Sequence, residues 1–276
     1  MVDEGHYYSR SFALLKSQPG WIKPLLVMGA ASLVPVVGAL GCLGYAAEYA
    51  RLTAWGVDAA PKQRGVRVGE CIKAGGRSFV ASLGCIALIG CLTLGIRLLL
   101  GNLVDGALAS LVEAAVEFVA GALVIACMVH AAVYQSYKAG YSMGHISDMA
   151  VGNFAGILRI SLMRLVMGLI FGVVLGVAFM GIFASVAASF FASNPMLAYS
   201  DTLEALTGTQ VLQLGVSLIY AFKSHALAIG ALIYLTSVLS CFVDLISFNA
   251  VALWMRGFNV RSWGRASEPL PREALL

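Results

Sequence analysis

Charged side chains are scarce in this sequence. Asp, Glu, Lys and Arg make up 12% of its 276 residues, whereas soluble domains carry roughly 25%. Hydrophobic residues make up 60% of the chain, and charged segments divide them into blocks of about 18 residues or more, the length that crosses a bilayer. This combination excludes an ordinary soluble fold. It predicts an all-α fold, a polytopic membrane helix bundle.

The sequence also lacks the patterns that carry catalysis or bind metals. No nucleophile elbow, HExxH motif or pair of aspartates at helical spacing lies in the apolar blocks. The six cysteines have no CxxC pattern and no Cys/His ligand spacing; they are Cys42, Cys71, Cys85, Cys91, Cys127 and Cys241. We therefore expect no enzymatic activity, no metal and no cofactor, and we interpret the cysteines as small buried hydrophobic residues.

Lys and Arg are rare on one side of the predicted membrane domain. Sixteen of the eighteen fall in segments that we place on the same side of the bilayer, and such basic segments are typically cytoplasmic. We therefore predict a multi-pass protein of the plasma (cytoplasmic) membrane with both termini in the cytoplasm. This asymmetry explains the net charge of +4 without a nucleic-acid partner.

The first long apolar run, residues 24–47, is uncharged and is interrupted at Pro35 and Gly38. Lys and Arg on both sides of the run argue against a single crossing. Proline removes a backbone donor and glycine tolerates a turn, so we predict two short helices that meet in a hairpin. The alternative is a single span over residues 21–50.

The rest of the chain predicts about six membrane-embedded helices in total. Residues 1–20 form an interfacial leader, residues 21–258 the membrane domain, and residues 259–276 a cytoplasmic tail that we expect to be disordered. Residues 210–222 are apolar but too short to cross. We predict a re-entrant or outer-surface helix there.

Ionisable side chains inside predicted spans are the first functional candidates. His130, Arg164 and Asp244 are expected to lie at a similar depth, in the inner third of the membrane. A His/Asp pair could relay protons, whereas an Asp/Arg pair would fasten two helices, and we favour the structural role. Near the outer ends, Arg97 is expected to pair with Glu113 or Glu117.

Three glycines at intervals of four residues place small side chains on one face of a predicted span. They are Gly168, Gly172 and Gly176. Such a face lets another helix approach closely, either within the chain or in a dimer.

Four basic residues of the first long loop recur near a helical period: Arg64, Arg67, Lys73 and Arg77. They predict a basic stripe on the anionic inner leaflet. The stripe is either a topology signal alone or a docking surface for a phosphoinositide-like lipid or a protein.

The first third of the chain carries a recognisable series of motifs. It contains Leu-Val-Pro-Val-Val-Gly at 33–38, Gly44-Tyr45 followed by Tyr49 and Arg51, and Lys-Ala-Gly-Gly-Arg-Ser-Phe at 73–79. In these motifs, and in residues 134–159, the chain resembles an uncharacterised family of prokaryotic integral membrane proteins, a domain of unknown function. It is more distantly similar to the membrane domains beside glycerophosphodiester phosphodiesterases. Ala-Pro-Lys at 60–62 departs from the Pro-Glu-Trp that the family often has there. The resemblance implies a multi-helix membrane fold and no established activity.

Two functional hypotheses remain. The first is a non-enzymatic membrane protein that serves as a subunit or scaffold and assembles with itself or another membrane protein. The rival is a carrier or channel for a small solute or lipid, with its polar site in the inner third of the membrane. Membrane lipids are expected partners in both cases.

Overall fold

The computed structural model describes residues 6–100, 106–195 and 208–258. Within these ranges the chain is helical and has no strand. The helices are α1 Tyr7–Lys16, α2 Ile22–Ser32, α3 Val37–Ala54, α4 Val68–Leu100, α5 Gly106–Val133, α6 Tyr137–Gly140, α7 Met143–Gly152, α8 Phe154–Ser193, α9 Gly208–Ser224 and α10 Ala226–Arg256. The predicted tail, residues 259–276, lies outside the described residues.

Four helices are long and apolar enough to cross a membrane: Val68–Leu99, Leu108–Val133, Phe154–Ser193 and Ala226–Arg256. The chain is therefore an all-helical, multi-pass membrane protein. The total of about six embedded helices and the cytoplasmic placement of both termini stay predictions.

The break predicted at Pro35 is confirmed, because α2 ends at Ser32 and α3 begins at Val37. Val36 has a φ of 60°, which is uncommon for a β-branched residue and marks a forced turn. A Cβ on Gly38 would overlap the carbonyl oxygen of Ala31, so only glycine allows the two helices to meet this closely. A continuous helix over residues 21–50 is excluded.

Helices α3 and α4 touch backbone to backbone. A Cβ on Gly44 would overlap the carbonyl oxygen of Cys71, and a Cβ on Gly75 would overlap that of Leu40. Each glycine therefore makes room for the other helix. Nearby, the indole of Trp55 donates to the carbonyl of Val133 over 3.1 Å, which fixes the end of α3 against the end of α5.

The predicted leader is part of the core. In α1, Leu15 is 1% exposed, and Ser11 Oγ donates to the carbonyl of Ile246 in α10 over 3.0 Å. Tyr8 shares a 2.6 Å hydrogen bond with Ser247, and burial raises the pKa of its phenol. Asn249 donates to Ser11 over 3.2 Å. The amphipathic pattern predicted a helix here but not its docking on α10.

Asp58 ties the two ends of the described chain to the loop between α3 and α4. Its carboxylate oxygens lie 2.9 Å from Arg10 Nη2 and 2.8 Å from Arg256 Nη1. Gly56, with a φ of 97°, turns the loop beside the Arg256 guanidinium. One carboxylate therefore holds α1 and the end of α10 at the same place.

The chain divides into two compact units, Met1–Met167 with Val238–Leu276, and Gly168–Ser237. In the second unit, Asn194 donates to Ser217 over 2.8 Å, and Ser185 Oγ lies 2.8 Å from His225 Nε2. The order of these contacts makes α9 antiparallel to the end of α8. With 17 residues, α9 is shorter than the roughly 20 that a span needs, and its placement as a re-entrant or outer-surface helix stays a prediction.

Candidate functional site

A polar cavity of about 600 Å³ lies between α3, the α3–α4 loop, the first turns of α4 and the turn after α5. Its lining includes five cationic side chains, Arg51, Lys62, Arg67, Lys73 and Arg77, and two carboxylates, Glu48 and Glu70. The net charge of the lining is therefore +3. We call this feature the basic cavity.

A chain of polar contacts connects one side of the basic cavity to the other. Arg51 Nε lies 2.9 Å from a Glu48 oxygen, and the amide of Gln135 donates to the other Glu48 oxygen over 3.3 Å. Arg77 in turn donates to the carbonyl of Gln135 over 3.1 Å. Gln135 has a φ of 55°, a left-handed conformation that is uncommon outside glycine. The turn after α5 therefore directs both its carbonyl and its side chain to the cavity.

Two buried polar atoms of this network lack a partner within the described residues. They are Nη1 of Arg51 and Oε1 of Gln135. The side chain of Arg51 is only 7% exposed. A buried donor or acceptor without a partner costs roughly 1–3 kcal/mol and more when it is charged. Arg51 and Gln135 both line the basic cavity, so each brings to its wall a side chain whose hydrogen bonds within the described residues are incomplete.

The entrance of the cavity carries the more exposed cations. Arg67 pairs with Glu70 over 2.8 Å, and both side chains are largely exposed. Lys62 and Lys73 form no ion pair in the part of the chain that the structure describes. The hydroxyl of Tyr45 donates to the carbonyl of Lys62 over 2.6 Å, so the loop that carries this lysine is held against α3.

The predicted basic stripe is revised by this geometry. Helix α4 begins at Val68, so Arg64 and Arg67 both precede it and only Lys73 and Arg77 lie on the helix. Arg67, Lys73 and Arg77 line the basic cavity, whereas Arg64 is exposed and is not part of the lining. Sequence reasoning did not assign Arg51 to the site. The sequence feature near Arg51 that could have indicated its role is Glu48, three residues earlier, a spacing at which helical side chains meet.

Two of the three residues in the predicted polar cluster come together. Arg164 Nη2 lies 3.9 Å from Asp244 Oδ1, which joins α8 to α10. Arg164 Nη1 also lies 3.4 Å from the position of a Cβ on Gly121. His130 is nine residues further along α5, about 13 Å at 1.5 Å per residue. The structure thus brings Arg164 and Asp244 together and places His130 further along α5, and the common depth of the three residues stays a prediction.

His130 instead belongs to the junction of α5 with α6 and α7. Its Nδ1 lies 2.7 Å from the carbonyl oxygen of Ala139, and since a carbonyl only accepts, this nitrogen carries the proton. Its ring packs edge-on against those of Tyr134 and His145, at centroid distances of 4.9 and 6.2 Å. These contacts fix the turn that carries Gln135.

The predicted outer ion pair does not form among the described residues: Arg97 makes no ion pair with Glu113 or Glu117. Arg97 lies in the last turn of α4, where exposed carbonyls favour a cation. Glu113 is seven residues, about 10 Å, beyond the start of α5 at Gly106. Glu113 therefore lies further from its helix end than Arg97 does from the end of α4.

The predicted glycine face of α8 is open. A Cβ on Gly168, Gly172 or Gly176 would meet no atom of the described chain within 4 Å. The close helix approaches that the structure shows occur at Gly44 and Gly75 in the first unit.

Comparisons with protein-family models, with characterised proteins and with solved structures give no match. The family resemblance of residues 21–79 therefore stays a prediction.

Proposed function

We propose that this protein is a non-enzymatic subunit of a membrane assembly, which binds a second copy or another membrane protein along α8. One observation carries the proposal. No residue in the most apolar window of α8 is buried within the chain, although the same helix presents the open glycine face.

The length of the apolar part of α8 supports an additional protein contact. Residues 165–192 contain no charge and, at 1.5 Å per residue, extend about 42 Å. The hydrocarbon core of a bilayer is about 30 Å thick. Placing the whole segment in the core would need a tilt of about 45°, beyond the usual range of up to about 40°. A partner that covers the surplus apolar surface removes this mismatch.

Association of labelled full-length protein in phosphatidylcholine vesicles tests the proposal. Gly172→Leu fills the glycine face and should weaken association about tenfold, because close helix approach depends on small residues. Gly181→Leu is the matched control. Gly181 is equally open but lies nine residues on, half a turn away on the opposite face, so its substitution should leave association unchanged.

Two results would contradict the proposed glycine interface. Either association is insensitive to Gly172→Leu, or both substitutions weaken it equally. A monomeric wild-type protein would refute self-assembly. Co-purification of membrane proteins with Gly181→Leu but not with Gly172→Leu would then support another membrane protein as the partner. Equal co-purification with both variants would refute binding of another protein at the glycine face as well.

A further inference from the structure

We propose that the basic cavity binds the phosphate group of an organic anion about the size of a lipid headgroup. The net charge of three positive charges in the lining requires a counter-charge, and a phosphate supplies it at one point. This site is separate from the glycine face of α8.

Arg51 is the residue that specifies an anion rather than general surface attraction. Its guanidinium is held by Glu48 over 2.9 Å, and Nη1 remains without a partner among the described residues. Arg51 lines the cavity and is 7% exposed, so its charge is poorly hydrated and attracts a nearby anion more strongly than a cation in water does. A guanidinium presents its donors as a planar fork that matches phosphate oxygens.

Lys73 and Arg77 extend the anion site along α4. They are four residues apart, so both lie on one helical face, and both line the cavity. Arg77 already donates from Nη1 to the carbonyl of Gln135, which orients its guanidinium. Lys73 is exposed and has no ion pair within the described chain, so its ammonium is free to meet a ligand charge.

The size of the cavity and the Oε1 atom of Gln135 indicate what the ligand carries besides its phosphate. A volume of about 600 Å³ lies in the range of small-molecule sites and exceeds what inorganic phosphate fills. Oε1 of Gln135 accepts no hydrogen bond in the described chain, so it suits a ligand hydroxyl. The site therefore fits a phosphate ester that carries a hydroxyl group, either a lipid headgroup or a soluble phosphate ester.

Binding of three probes to the full chain in phosphatidylcholine nanodiscs tests the proposal. The probes are dihexanoyl phosphatidylglycerol, glycerol 3-phosphate and inorganic phosphate, measured by calorimetric titration. Lys73→Gln should weaken binding of the organic phosphates about tenfold, as expected for the loss of one charge-assisted hydrogen bond. Arg64→Gln removes the same charge from a nearby exposed position outside the cavity and should change binding less than about twofold.

The outcomes distinguish a lipid ligand from a soluble one, and both from failure of the proposal. Tight binding of the short-chain lipid alone indicates a lipid headgroup, and equal binding of glycerol 3-phosphate indicates a soluble ester. Equal weakening by Arg64→Gln and Lys73→Gln, or binding of no probe, would overturn the proposal. Arg51→Gln should abolish binding. Because Arg51→Gln removes a buried charge, its unfolding transition is recorded together with its binding. If Arg51→Gln misfolds, the result for Lys73→Gln decides the question.

Discussion

Helices α5 and α8 are both apolar enough to span a membrane, yet the chain uses them differently. In the most apolar window of α5, 56% of the residues are buried, and in that of α8 none are. Alanines at 120, 122 and 126 let neighbours reach α5, whereas large apolar side chains of α8, such as Leu169 and Val173, remain exposed. Hydropathy therefore identifies helices for a membrane without indicating which of them pack together.

Among substitutions in the packed helices, which contrast with the exposed α8, we expect the largest effect at the contact between α3 and α4. Gly75→Ala places a methyl group against the carbonyl of Leu40, where the backbones leave no room. We expect a loss of about 3 kcal/mol in the free energy of unfolding, the upper range for overpacking, measured by SDS titration in mixed micelles.

The adjacent Gly76 is the control for this prediction. A Cβ there meets no described atom within 4 Å, so Gly76→Ala should stabilise the helix by up to about 1 kcal/mol. If the two alanine variants behave alike, the backbone contact between α3 and α4 is wrong.

A second test compares the leader with α8. Leu15→Ala removes a side chain that is 1% exposed in α1 and should cost about 2–3 kcal/mol of unfolding free energy. Leu169→Ala makes the same change where the leucine is 59% exposed and should cost less than about 0.5 kcal/mol. Urea or SDS unfolding of both variants checks this difference. Similar costs at the two positions would show that α1 does not dock on α10.

Of the three main substitutions, the one expected to have the smallest effect is at the pair that joins α8 to α10. Asp244→Asn leaves Arg164 without its carboxylate, and a lone arginine within a span costs up to about 3 kcal/mol. The closest atoms of the pair are 3.9 Å apart, too far for a hydrogen bond, and the long arginine side chain can extend toward the membrane surface, so we expect a loss of about 1 kcal/mol. Restoration of thermal stability by the double variant with Arg164→Gln would support a structural lock. Loss of solute uptake without loss of stability would instead favour the rival carrier.

Features set by neighbouring residues were predictable from the sequence, and those set by distant residues were not. Pro35 and Gly38 predict the break because its cause is local. Arg67, Lys73 and Arg77 are close in sequence and line one cavity, but Arg51 and Gln135 reach the same cavity from two other segments. Pairing between such segments depends on helix contacts that hydropathy and charge patterns do not encode.

The same limit applies to the position of His130 relative to the pair of Arg164 and Asp244. The long side chain of Arg164 reaches the middle of α5 near Gly121, nine residues before His130. Residues at comparable positions in separate helices therefore need not meet. The glycine face is a different case: its spacing predicts a close helix contact, and a Cβ on any of its three glycines meets no described atom within 4 Å, so the contact stays a prediction.

The docking of α1 on α10 has a consequence for the order of synthesis. Ser11 and its acceptor, the carbonyl of Ile246, are 235 residues apart in the chain. At roughly 5–20 residues per second, a ribosome needs about 12–47 seconds between making one and making the other. During that interval the first helix lacks its contacts with α10, although Asp58, the partner of Arg10, has already been made. The first helix completes its place in the core only after α10 has been translated.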